Sequence, residues 1–265
     1  MTAAARWADA LAAWAIPDEV LAAAPESPWG FPTGVFAAAA SDALTRPRTA
    51  THERALEALP PGGAVLDVGA GGGATSLPLA DHAGRIVAVD ASATMLDELR
   101  TLAAGAVELE LIEGRWPDVA TSVGTADVAV CGHVAYNVEP LDDFVVALTD
   151  HATHRVVLEL TAEHPQSPLS PLWQHFWGIV RPTQPTADTA IDVIEEAVGV
   201  TVSSQRWRRR GPLSGRSDAE TVAWARRRLC LPPSADDEIA ELLGPDPRLA
   251  PTDVVTLWWP GRAIR

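Results

Sequence analysis

From Ala64 onward the chain alternates short apolar runs with amphipathic stretches. Ala64 to Val68, Ile86 to Val89, Val107 to Ile112, Asp127 to Cys131 and Arg155 to Leu160 have the length and character of strands. Between them the pattern predicts a helix from about Gly72 to His82, with Pro78 costing it a backbone donor. A second helix starts after Ser92, a good N-cap, and turns Met95, Leu96, Leu99 and Leu102 inward; a third covers Leu141 to Leu148. Further on, Thr186 to Val198 reads as a helix capped by Thr186 or Asp188, and Val200 to Trp207 as a sixth strand. Ser217 to Leu229 and Ser234 to Leu242 read as helices and Val254 to Trp259 as a last strand. Strands alternating with helices at this spacing predict an α/β fold with a doubly wound, mostly parallel sheet.

The ends of this pattern differ from its middle. Trp7, Leu11 and Trp14 fall at helical spacing, Pro17 sits just inside the next helix, Pro25 to Pro32 cannot be regular, and Thr51 to Leu59 is again helical. Residues 1–58 are therefore expected to form a helical cap near the mouth of a site, and 59–265 the α/β domain. Prolines at 165, 168, 171, 182 and 185 flank the aromatic segment Leu172 to Trp177, marking a lid insertion at about 162–198. With 265 residues and no Ser/Gly-rich linker, cap and domain form one unit.

Composition narrows the chemistry. All 20 basic residues are arginine, which excludes a Schiff-base lysine and the Gly-Lys-Ser/Thr phosphate loop. A net charge of −15 argues against a nucleic-acid partner. The run Arg206 to Arg210 reads as an exposed strand end balancing an acidic surface. Cys131 and Cys230 are too few for a disulfide framework or a zinc site. No His/Asp/Glu constellation has metal-ligand spacing, so no metal is expected. Neither a signal peptide nor a membrane span is expected, and the chain reads as cytoplasmic, a monomer or homodimer.

The candidate site begins at Asp67-Val68-Gly69-Ala70-Gly71-Gly72-Gly73-Ala74, where a strand meets a glycine turn, and continues at Asp90, where the next strand ends. Glycines let the backbone turn and approach a ligand, and an acid at the strand end can accept both hydroxyls of a ribose. Gly69, Gly71 and Ala74 also satisfy the dinucleotide pattern, so spacing alone leaves a nicotinamide-dependent oxidoreductase open. Asp67 separates the two: a carboxylate there repels a pyrophosphate but suits a cationic amino group, as in S-adenosylmethionine (SAM).

On these residues the chain resembles the class I SAM-dependent methyltransferases, from roughly Pro61 to Glu163. The resemblance implies a seven-stranded Rossmann-like sheet, with the seventh strand antiparallel beside the fifth. It also implies SAM as cofactor, leaving as S-adenosylhomocysteine (SAH). Asp67, Gly69, Ala70, Gly71, Gly73, Asp90 and Ala91 would hold it, with Arg115 and Trp116 at the adenine. Arg115 stands where relatives carry an adenine-binding aspartate, so backbone groups are expected to hold the adenine instead, with Trp116 as a stacking wall or Asp118 as a substitute acid.

Methyl transfer needs alignment more than a nucleophile. His133, at the end of the fourth strand, is expected beside the cofactor and is a candidate general base, imidazole titrating near neutrality. Tyr136 is a candidate to orient an acceptor, and His164 competes with His133 as base. Trp29, Phe31, Phe36, Trp173, Phe176 and Trp177, with His175, are expected to line an apolar pocket for a small-molecule acceptor. A methyltransferase fold kept only for binding is the remaining alternative.

Overall fold

A computed structural model describes residues 1–29, 35–209, 217–244 and 252–262. The apolar runs form one seven-stranded sheet: β1 (Gly63–Val68), β2 (Ala83–Asp90), β3 (Glu108–Glu113), β4 (Ala126–Gly132), β5 (Ala152–Thr161), β6 (Ser203–Arg209) and β7 (Thr252–Pro260). Their order is β3-β2-β1-β4-β5-β7-β6. All neighbours pair in parallel except β7, which runs antiparallel between β5 and β6. The expected doubly wound sheet and the inserted seventh strand are both present.

The central strands are buried on both faces, as parallel strands covered by crossover helices must be. Leu66, Val68, Val87 and Val89 face a core shared with α1 (Ala3–Ala12), α6 (Leu141–His151) and α8 (Ala187–Val198). Val65, Ile86, Val128, Val130 and Val157 face the opposite core, which includes Ala55 of α4 (Ala50–Leu56). Helix α5 (Ala93–Ala103) starts where expected, with Ser92 Oγ accepting from Met95 N at 3.4 Å, and buries Leu96 and Leu99. Helix α3 (Val35–Thr45) completes the N-terminal region.

A separate hydrophobic cluster joins α2 (Asp18–Ala23), α7 (Ser170–Trp177), α9 (Asp218–Arg228) and α10 (Asp236–Leu243) around Ile16, Val20, Leu172, Trp173, Trp224 and Ile239. This packing divides the chain differently from the expected boundaries. Helix α4 of the 1–58 segment lies on the sheet against β5, whereas α1 packs on α6 and α8, the helices that cover the other face. Helix α2 joins α9 and α10, which the sequence pattern had left with the α/β domain.

Two local departures have clear causes. The helix expected over Gly72 to His82 is instead a series of turns with one 3₁₀ turn at Leu77–Leu79. Gly71 and Gly73 adopt positive φ (51° and 87°), which a right-handed helix cannot include, and Pro78 lacks the donor that would extend it. The sixth strand starts at Ser203, not Val200, because Gly199, at φ 75°, ends α8 and Val202 N donates to Glu195 at 2.9 Å.

Candidate active site

The carboxyl ends of the strands open into one cavity of about 2550 Å³, bordered by the glycine turn, His133, Glu159, His164 and the loops above. A single drug-sized ligand needs roughly 300–1,000 Å³, so the space suits a cofactor and an acceptor together. It lies where ligands bind in open α/β sheets.

The glycine turn is fixed from below. Gly69 N and Ala70 N donate to Val89 O at 2.8 and 3.1 Å, and Gly71 N donates to Asp90 Oδ2 at 2.8 Å. Asp90 Oδ1 accepts from Ser92 N at 2.9 Å, so the carboxylate is held rigidly with lone pairs left for hydroxyls. A Cβ on Gly69 would overlap Val134, whereas one on Gly71 would project into open space. Gly69, Ala70, Gly71, Asp90 and Ala91 all border the cavity; Gly73 lies behind it, against Leu77. Since no helix follows directly, any negative group here meets turn N–H groups and not a helix end.

Asp67 is fully buried behind the turn and outside the cavity lining. Among the described residues no group meets its oxygens in hydrogen-bonding geometry, the Ser76 hydroxyl lying beside them. Burial pushes its pKa up to about 7, Ser76 opposes this in part, and Asp90 adds to it. An orphaned buried carboxylate is what a cationic amino group would stabilise. An unpaired carboxylate behind the turn, a rigidly held Asp90 carboxylate at its rim and an open approach at Gly71 are compatible with the charge and ribose of SAM.

Arg115 and Trp116 also border the cavity. Arg115 is exposed; Trp116 is buried, its Nε1 donating to Phe144 O at 3.3 Å, which leaves the indole as a fixed wall. Asp118 is exposed and does not border the cavity.

At the end of β4, His133 takes a left-handed backbone conformation (φ 59°), its N donating to Glu159 O at 2.7 Å. Its Nε2 lies 2.7 Å from Glu159 Oε1. Glu159 is buried on β5 and also accepts from Thr51 Oγ1, which is bonded to Thr256 Oγ1 at 2.8 Å. Burial works against its charge, but the bond and charge of His133, the Thr51 bond and the Arg209 charge bring its pKa down to about 2. Arg209, at the end of β6, points Nη1 at the same His133 Nε2. A guanidinium only donates, so Arg209 and Glu159 compete for that nitrogen; when Glu159 accepts from Nε2–H, Nδ1 keeps a free lone pair.

The other histidine candidate is placed differently. His164 Nδ1 accepts from Gln166 N at 3.2 Å, putting the ring proton on Nε2, where it cannot serve as a base. Burial and the charge of Arg181 lower its pKa to about 4. Tyr136 stacks on Trp7 at 5.5 Å and donates to Thr161 O at 2.9 Å, so its hydroxyl is engaged; burial raises its pKa.

Of the expected acceptor pocket, Trp173 and Trp29 border the cavity, the latter 59% exposed. Phe176 and Trp177 do not: they pack in the helical cluster, Trp177 Nε1 donating to Leu229 O at 2.7 Å. His175 pairs with Glu238 at 2.7 Å on the surface. Phe31 and the side chain of Phe36 lie outside the described residues.

Four site residues escaped the sequence reading. Glu159 carried a faint signal, a lone carboxylate inside Val156-Val157-Leu158-Glu159-Leu160, which a core strand tolerates only when the acid is bonded. Thr51 and His52 of α4 carried none; His52 Nδ1 accepts from Thr49 N at 3.1 Å while Nε2 meets Ala74 O at 3.1 Å, tying α4 to the glycine turn. Arg209 was read as one of an exposed basic run. That reading holds for Arg206 and Arg208, paired on the surface with Asp188 and Asp253, but Arg209 turns inward. Among the described residues no group of three or more His, Cys, Asp or Glu is arranged to hold a metal.

Comparison with known proteins agrees with this geometry. Residues 65–154 match the family described as a methyltransferase domain. The YcgJ protein of Bacillus subtilis superposes with a TM-score of 0.54 at 16% identity, over 81% of this chain and 98% of its own. A cyclopropane-fatty-acyl-phospholipid synthase-like protein of Lactobacillus casei gives 0.57 at 15% identity, over 91% and 97%. A protein described in the conversion of a disulfide bond into a thioacetal group during echinomycin biosynthesis gives 0.54 at 16% identity, over 82% and 83%. No curated protein sequence matches the chain.

Proposed function

We propose that this chain, whose residues 65–154 match a methyltransferase domain, uses SAM to methylate an oxygen or nitrogen atom of a small, partly apolar molecule, with His133 accepting the proton. The observation that carries this reading is the His133–Glu159 pair standing in the same cavity as the glycine turn and Asp90.

Bound SAM supplies a methyl group on a sulfonium, already activated as an electrophile. The chain's residues have three tasks. Asp90 and Asp67 hold the ribose and the amino group, Gly71 lets the backbone come close, and Trp116 walls the adenine. Glu159 keeps the proton of His133 on Nε2, so that Nδ1 faces the acceptor as a base. Thr51 and Thr256 support Glu159, and Trp207 Nε1 donates to Thr256 Oγ1 at 2.9 Å. Two buried free cysteines suit a reducing compartment and support a cytoplasmic setting. Among the described residues no helix is long and apolar enough to cross a membrane. The charge of −15 supports a partner other than nucleic acid.

Titration calorimetry with SAM, SAH and NAD tests the cofactor arm; NAD binding without SAM binding would overturn it. For the base, His133→Asn is preferable to Ala because Asn tolerates a positive φ. The variant should keep its SAH affinity within about threefold and lose turnover by roughly 10²–10⁴. A matched fall in both would mark His133 as a cofactor contact instead.

A further inference from the structure

Above the ends of β4 and β5 stands a column of stacked side chains built around one buried charge. Arg181, in the segment between α7 and α8, is 7% exposed and lies between two indoles, its Cζ 5.1 Å from the Trp14 ring and 5.0 Å from the Trp173 ring. The far face of the column continues through His164, stacked on Trp14 at 3.9 Å, to Tyr136 at 5.3 Å. Trp14, Arg181, His164, Tyr136 and Trp173 all border the cavity.

Arg181 is satisfied in shape but not in charge. Of its five N–H groups, Nη2 donates to Trp14 O and Nη1 to Ala15 O at 3.3 Å, while buried Nε has no partner among the described residues. No carboxylate forms an ion pair with it among the described residues, and burial lowers its pKa. An arginine cannot shed its proton, and a full charge held away from water is costly; the two indoles offset part of that cost, and an anion would offset more. Pinning two carbonyls needs only a neutral donor.

Its position says which ligand brings the anion. Asp90 ends β2, and His164, whose ring shares Trp14 with Arg181, directly follows β5; in the order β2-β1-β4-β5 these two chain positions are three strand spacings apart, about 14 Å. His133, on β4, lies between them. The charge is thus on the far side of His133 from the ribose-binding acid.

We infer that Arg181 is the anion-binding residue of the acceptor pocket, and that the methyl acceptor is an organic acid whose carboxylate meets this guanidinium. This rests on the methyltransferase reading above and narrows its substrate class.

The test uses the full chain saturated with SAH at low ionic strength, and matched acid and amide probes. These are benzoate and benzamide, 2-naphthoate and 2-naphthamide, and indole-3-carboxylate and indole-3-carboxamide, compared by ligand-observed NMR. At least one acid should bind tenfold or more tightly than its amide, and Arg181→Gln should abolish that preference while leaving SAH affinity within twofold. The acid-over-amide comparison in the unmodified protein stands even if the variant fails to fold. Amides binding as well as acids, retention of neither series, or an equal loss of SAH and acid affinity in Arg181→Gln would overturn the assignment. Absence of SAH binding to the unmodified protein would instead strike the methyltransferase reading itself.

Discussion

Asp67→Asn should make the ligand-free protein more stable at alkaline pH while weakening its hold on the cofactor. The carboxylate is wholly buried, neither oxygen has a hydrogen-bond partner among the described residues, and its pKa is raised from 3.8 to about 7. Below pH 3.8 it is protonated in both folded and unfolded chains and contributes no penalty. Between that value and pH 7 the unfolded chain sheds the proton and the folded one retains it, so stability falls as pH rises; above 7 the penalty is complete. At 1.36 kcal/mol per pH unit the full penalty is about 4 kcal/mol, of which about 2–3 kcal/mol accrues between pH 5 and pH 8. Asparagine is nearly isosteric and cannot ionise, so it escapes this cost. Thermal melts followed by circular dichroism should show the variant gaining over the parent at pH 8, by up to roughly 8–15 °C, and by much less at pH 5. With saturating SAH the order should narrow or reverse, because the ligand's ammonium stabilises the aspartate but not the amide. An equal gain at both pH values, or unchanged SAH affinity, would refute the account of Asp67 as a carboxylate awaiting a cation.

Asp90→Ala should weaken SAH binding more than tenfold in a calorimetric titration, since charge-assisted hydrogen bonds worth about 1.5–3 kcal/mol disappear. Glu159→Gln should lower turnover much more than SAH affinity. It should also cost stability at pH 7, and the difference from the parent should shrink as pH falls towards 2, where the carboxylate of the parent itself takes up a proton. The two turn glycines should separate in a paired melt and titration. Gly69→Ala brings a Cβ against Val134 and should destabilise strongly, whereas Gly71→Ala, facing open space, should cost about 1–2 kcal/mol of backbone strain but lose most SAH affinity.

The sheet was legible in the chain because its strands are apolar runs of the right length, and burial on both faces leaves that signal undiluted. The helix expected after the glycine turn was not there: residues such as Leu77 and Leu79 carry helical character, but two glycines at positive φ and Pro78 outweigh it. The cofactor half of the candidate site, Asp67 to Asp90, was readable because it comes from neighbouring segments within about 25 residues. The acceptor half draws Thr51, His133, Glu159, Arg209 and Thr256 from five segments that meet only once β5, β7 and β6 are in register. Arg209 and Arg208 are adjacent arginines with opposite roles, a distinction made by strand alternation and not by residue type. Phe176 and Trp177 misled for the converse reason: their helix offers its aromatic side to α9 and α10.

The antiparallel insertion of β7 between β5 and β6 has a consequence in time. During synthesis β6 emerges before β7, yet among the described residues its partner in the sheet is β7 alone. Thr256 and the stretch that fixes Arg209 in place come from that last strand, which pairs with β5 across about a hundred residues of intervening chain. The glycine turn can therefore form while the chain is still on the ribosome, but the His133 cluster has to wait. A nascent chain halted before residue 252 should bind SAH and transfer nothing, so cofactor capture precedes competence for chemistry in the life of each molecule.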